Sequence, residues 1–177
     1  MLDRRPRRAD SVGRKLTEVG LTLHPEKTRL VDFRRPDTRE DASPGKDATR
    51  PGTFDLLGFT HYWAKSRKGF WVVMQKTARD RFRRALQRVA DHIQRSRHAP
   101  VREQWVALKQ KLVGHYGYFG IAGNSRALYC FLFRARRAWR YWLSRRSQRA
   151  HLSWDKMDRL LQHYPLPQPR IRSAPVA

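Results

Sequence analysis

The chain has 177 residues, enough for one ordinary domain or two small ones. Its 39 Lys and Arg against 15 Asp and Glu leave a net charge of +24, which points away from acidic-surface functions and toward a polyanionic partner. One cysteine, Cys130, excludes an internal disulfide and a cysteine-rich zinc site. No apolar run reaches membrane-spanning length and no signal-peptide segment follows the Arg-rich start, so a cytoplasmic protein with no membrane partner is expected.

The charge is uneven. Residues 1–75 carry 16 basic and 10 acidic residues, whereas residues 76–177 carry 23 and 5. Most of the cations are arginine, whose planar guanidinium suits bidentate phosphate contacts and stacking. At 40% hydrophobic residues, with six Trp and eight Phe, the chain can build a core.

Taken in order, Met1 to Asp10 is charge and proline and reads as a loose arm. Val12, Leu16 and Val19 fall at helical spacing, and Gly20 stops that helix. Pro25 turns the chain, and Lys27 to Phe33 alternates as a strand does. Residues 34–53, rich in Pro, Gly, Asp and Thr, read as a charged loop. Phe54 to Trp63 returns to β-type composition. Gly58 there allows a bulge or a close backbone approach, with Leu57 and Phe59 largely in the core. Lys65 to Gly69 reads as a hairpin turn into a strand over Phe70 to Met74.

From Thr77 the period becomes helical. Phe82, Leu86, Val89 and Ile93 make a stripe, while Arg79, Arg81, Arg83, Arg84, Arg88 and Arg95 fill the other positions. Pro100 opens a second helix with Val101, Trp105, Leu108 and Leu112 on one side. A ladder of glycines follows at Gly114, Gly117, Gly120 and Gly123, threaded with His115, Tyr116 and Tyr118. Packing accounts for most of this ladder, with Tyr116 or Tyr118 partly exposed. His115, Tyr116 and Tyr118 are the residue types that stack on or hydrogen-bond RNA. Asn124 or Ser125 can cap the next helix, predicted over Ser125 to Arg146. Leu128, Phe131, Leu132, Ala135, Trp139 and Trp142 form its apolar side. Arg126, Arg134, Arg136, Arg137, Arg140, Arg145 and Arg146 form a bank of guanidinium groups that belongs against a polyanion. Ser153 caps a last short helix, ended by Pro165, Pro167 and Pro169. The expected fold class is therefore α+β: a short strand region over residues 1–75, then a mostly helical domain over residues 76–177.

Three blocks carry a resemblance. GLTLHPEKTRLVDF followed by FDLLGFTHYW resembles the last two palm motifs of group II intron reverse transcriptases. KLVGHYGYFGIAGN and RRAWRYWLSRRS resemble the thumb-like maturase domain of that family, and YPLPQPRI its C-terminal segment. The resemblance implies a palm remnant followed by an RNA-binding maturase domain that grips structured intron RNA and aids its splicing. It also implies that Leu57, Gly58 and Phe59 match the hairpin supporting a primer end, and that Lys27 matches a palm lysine. The family's Tyr-Ala-Asp-Asp loop is not in this sequence. Lys27 therefore lacks the aspartates and Mg²⁺ ions its chemistry needs, and no catalytic residue, metal or cofactor is expected. Asp155, Asp158, Glu40 and Asp41 read as solvated surface carboxylates, and His24 as a turn residue. The expected partner is structured RNA, with DNA as the other polyanion of that kind. Two alternatives stand beside this: the C-terminal piece of a split RNA-directed DNA polymerase completed by an upstream fragment, and a truncated product without function.

Overall fold

The structure is a computed structural model, and it describes residues 17–18, 20, 22, 31–36, 52–147 and 151–172. The chain divides into two compact units, residues 1–53 and residues 54–177. In the first unit Thr17 and Glu18 are helical, and the Gly20 amide donates to the Thr17 carbonyl at 3.0 Å. Gly20 has φ +75°, as a helix-ending glycine does. Val31 to Phe33 carries no strand, which corrects that end of the expected Lys27 to Phe33 strand. Lys27, His24, Glu40, Asp41, the N-terminal arm and most of the 34–53 loop lie outside the described residues.

The second unit is a three-stranded antiparallel sheet followed by four helices, an α+β arrangement. Strands β1 (Phe54–Leu56), β2 (Phe59–Lys65) and β3 (Trp71–Thr77) lie in the order β1-β2-β3. The 65–69 turn closes β2 onto β3 as expected, with the Gly69 amide donating to the Ser66 carbonyl at 2.9 Å. The strand expected over Phe54 to Trp63 is instead two strands. Leu56 pairs with Phe59 across a two-residue turn in which Leu57 has φ +50° and Gly58 φ +83°. Two positive φ values match the twist of antiparallel neighbours, and so the chain reverses at a turn where the sequence suggested a bulge. Leu57 is 76% exposed at its tip, correcting its expected place in the core. Phe59 is half-buried, its ring 5.3 Å from Phe119 and 5.7 Å from Tyr118.

Helices α1 (Arg79–Arg95), α2 (Val101–Phe119), α3 (Ser125–Leu143) and α4 (Trp154–His163) enclose the core. The apolar stripes fall where helical spacing puts them. Val89 and Ile93 of α1 meet Leu108 and Leu112 of α2, Leu128, Phe131, Ala135 and Trp139 of α3, and Met157 of α4. Each buried Val, Leu, Ile, Phe or Met among them contributes about 1.5–3 kcal/mol by leaving water.

Two polar residues inside this core orient the helices. Gln104 of α2 accepts from Trp139 Nε1 at 3.0 Å and donates to the Ala99 and Arg97 carbonyls at 2.8 and 3.2 Å. Asn124 begins α3, but its side chain does not cap that helix. Its Oδ1 accepts from the Thr77 amide at 2.9 Å, and its Nδ2 donates to Thr77 Oγ1 and the Phe119 carbonyl, both at 2.8 Å. Asn124 thus pins the end of β3 to the α2–α3 connection. Ser153 does cap α4, its hydroxyl accepting from the Lys156 amide at 3.3 Å.

Candidate nucleic-acid interface

The glycine ladder separates into two functions. Gly120 lies where an added Cβ would collide with the Tyr116 and Arg170 carbonyls, and at Gly123, with φ +85°, a Cβ would meet the Met74 methyl. Gly114 and Gly117 have nothing within 4 Å of an added Cβ, so these two are not packing glycines, contrary to expectation.

The aromatic residues beside them divide as well. His115 is buried, its ring stacked on Phe131 with centroids 3.7 Å apart. Burial lowers its pKa to about 4, so the imidazole is neutral at pH 7. Tyr116 is buried too, and burial pushes its phenol above the ordinary range. Neither ring is presented to a ligand in this fold, which corrects both as RNA-stacking residues. Tyr118 is exposed, and its Oη donates to the Leu57 carbonyl at 2.7 Å, tying α2 to the tip of the first hairpin. His61 is a half-buried strand histidine, stacked on Phe54 and within 2.9 Å of Gln75 Nε2. Cys130 is half-buried.

The arginines of the expected bank do not act as one set. Arg136 forms an ion pair with Asp158 and lies 5.3 Å from the Trp154 ring. Arg140 sits 4.4 Å over the same ring and donates to the Leu152 carbonyl at 2.8 Å. Arg146 donates from Nε to the Arg97 carbonyl at 2.7 Å and from Nη2 to the Ala99 carbonyl. These three hold α4 and the α1–α2 connection against α3. Asp158 is exposed, as expected of a surface carboxylate, and in addition pairs with Arg136.

Arg126, Arg134, Arg137 and Arg145 remain on the outside of α3, or just beyond its end, with Arg79, Arg83, Arg84 and Arg88 on the outside of α1. Among the described residues, Arg84 pairs with Asp80, whereas the other seven have no carboxylate within ion-pairing distance. Arg134 lies 5.7 Å over the Phe82 ring of α1, which places this guanidinium beside that helix. Arg137 and Arg145 rest over Phe133 and Tyr141 at 5.7 and 4.6 Å. Stacking on rings limits the freedom of these guanidinium groups while leaving their N–H edges open to phosphate.

No family model, curated protein or solved structure matches the chain.

Sequence reasoning missed the exposed aromatic residues of α3. Tyr129, Phe133 and Tyr141 are 55%, 54% and 46% exposed. With Arg137 they form a row at strict four-residue spacing, so the signal was present: large aromatics outside the apolar stripe of a well-patterned helix. Among the described residues no group of three or more His, Cys, Asp or Glu is arranged to hold a metal ion. No helix there is long and apolar enough to cross a membrane.

Proposed function

We propose that this chain binds structured RNA through the outer faces of α1 and α3, as a maturase-type splicing cofactor of the kind the palm and maturase motifs resemble. The RNA performs its own transesterification, and the protein neutralises phosphates and favours the folded intron. The observation that carries the reading is the set of exposed arginines at Arg79, Arg83, Arg88, Arg126, Arg134, Arg137 and Arg145. All but Arg145, in the turn after α3, are mounted on helices, and among the described residues none of them has a carboxylate partner. Such an array repels itself, and a phosphate backbone relieves that repulsion while releasing condensed counterions.

The test is splicing of a group II intron RNA at a Mg²⁺ concentration too low for the RNA alone. Added chain is expected to bind the intron and to restore splicing. Binding without acceleration would reduce the function to RNA binding. Absence of binding at low salt would overturn the reading altogether.

A further inference from the structure

We propose that the groove between α3, α4 and the segment following α4 receives one unstacked nucleobase from a single-stranded part of the bound RNA. The inference rests on the RNA-binding reading above and adds a specific site to it. The groove encloses about 470 Å³, within the range of small-molecule clefts. Tyr129 and Phe133, one helical turn apart and both more than half exposed, line its α3 side. Its apolar lining includes Leu132, Leu161 and Leu166. Polar groups complete the lining: the paired Arg136 and Asp158, and the amides of Gln162 and Gln168.

A nucleobase has the same division, with two apolar faces and a polar edge. Its face can stack on an exposed aromatic ring while its edge meets the carboxylate and amides. Asp158 accepts from Arg136 through Oδ1, leaving Oδ2 as a further acceptor. An ionised carboxylate accepts only, so it favours guanine, whose N1–H and N2–H lie side by side on one edge, over uracil, whose single N3–H is flanked by two carbonyl oxygens. Arg126 and Arg137 lie three residues before Tyr129 and four after Phe133, on the helical faces adjoining those rings. They are placed to take the phosphates flanking the inserted nucleotide. A second copy of this chain is a poor occupant, because it would bring +24 against +24. A continuous duplex is also excluded, since its bases stay stacked.

The experiment compares two labelled RNAs of equal length by fluorescence anisotropy, a hairpin with an unpaired guanosine-rich loop and a fully paired duplex. Replacing Tyr129→Ala and Phe133→Ala together is expected to weaken binding of the loop RNA by about 5-fold to 150-fold, the range attributed to one stacked base. Duplex affinity should fall much less, by no more than the loss of the Phe133 ring under Arg137 explains. Circular dichroism and the thermal midpoint verify that the variant keeps its fold. Asp158→Asn should narrow the preference for a guanosine loop over a uridine loop. Equal losses on loop and duplex, or unchanged binding of the loop, would overturn the site while leaving RNA binding in place. If the wild-type chain binds neither RNA, the underlying reading fails with it. Self-association of the wild-type chain that Phe133→Ala abolishes, seen by sedimentation, would reassign the groove to protein docking and overturn the proposal. A measurement independent of any variant is photocrosslinking with 6-thioguanosine in the loop. The peptide carrying Tyr129 and Phe133 should be labelled, and crosslinks confined to other peptides would overturn the site.

Discussion

His115 is neutral in the folded protein because its ring is enclosed, stacked on Phe131 and close to Phe119. Its pKa falls to about 4 from an ordinary 6.5, so between those values the unfolded chain binds a proton that the folded chain refuses. Its contribution to stability is complete above about pH 6.5, declines as pH falls, and is lost near pH 4. The full interval corresponds to about 3 kcal/mol, an upper bound because the ring keeps some solvent contact. His92, lowered by burial and then by Lys111 and Arg95, acts in the same direction. Urea unfolding at pH 7 and pH 4.5 should show a smaller acid loss in His115→Leu than in the wild-type chain. Equal acid losses would place His115 in solvent. At Gly114 and Gly117 the expected sign is reversed. Both are exposed inside α2 with open space around an added Cβ, so Gly114→Ala and Gly117→Ala should each stabilise by about 0.5–1 kcal/mol. A lowered thermal midpoint in either variant would contradict that account.

At the scale of elements, α3 shows what spacing can and cannot reveal. Leu128, Phe131, Ala135 and Trp139 are all buried, as their helical recurrence required, and the helix begins at the expected Ser125. Its end at Leu143 comes before Arg145 and Arg146, and Arg146 turns back onto the Arg97 and Ala99 carbonyls. Periodicity assigned all the arginines to one bank. Arg136 and Arg140 flank the apolar stripe, and only the folded chain brings Trp154 and Asp158 beside them. Gln104 was illegible for a related reason. A polar side chain at a core position gains its partners from the α1–α2 connection and from Trp139, far away in sequence. The turn at Leu57 and Gly58 escaped notice because such turns usually carry Asn or Asp before the glycine. The distinction between inward and outward arginines is testable. Arg146→Gln should reduce stability by about 1.5–3 kcal/mol, the range for hydrogen bonds from a charged donor, and leave the salt slope of RNA binding unchanged. Arg137→Gln should do the opposite, lowering RNA affinity with stability changed by less than about 0.5 kcal/mol. A loss of stability in Arg137→Gln equal to that in Arg146→Gln would collapse the distinction.

For the whole molecule, the central question is whether the +24 charge acts from a defined face or diffusely. Either arrangement gives strong binding at low salt, so affinity alone does not separate them. Two triple replacements of equal charge do. Arg126, Arg134 and Arg137 lie on the outer face of α3, whereas Arg4, Arg5 and Arg7 belong to the N-terminal stretch outside the described residues. All six carry the same charge, so a diffuse polycation should lose equally from either set. The decisive measurement is the affinity of one folded intron-domain RNA for the wild-type chain and both triple Gln variants, read by anisotropy across a series of salt concentrations. A binding face on α3 predicts that the Arg126, Arg134 and Arg137 variant loses affinity and flattens the log–log slope by up to about 2–3 units, while the N-terminal variant changes much less. Equal losses and equal slopes in the two variants would contradict it.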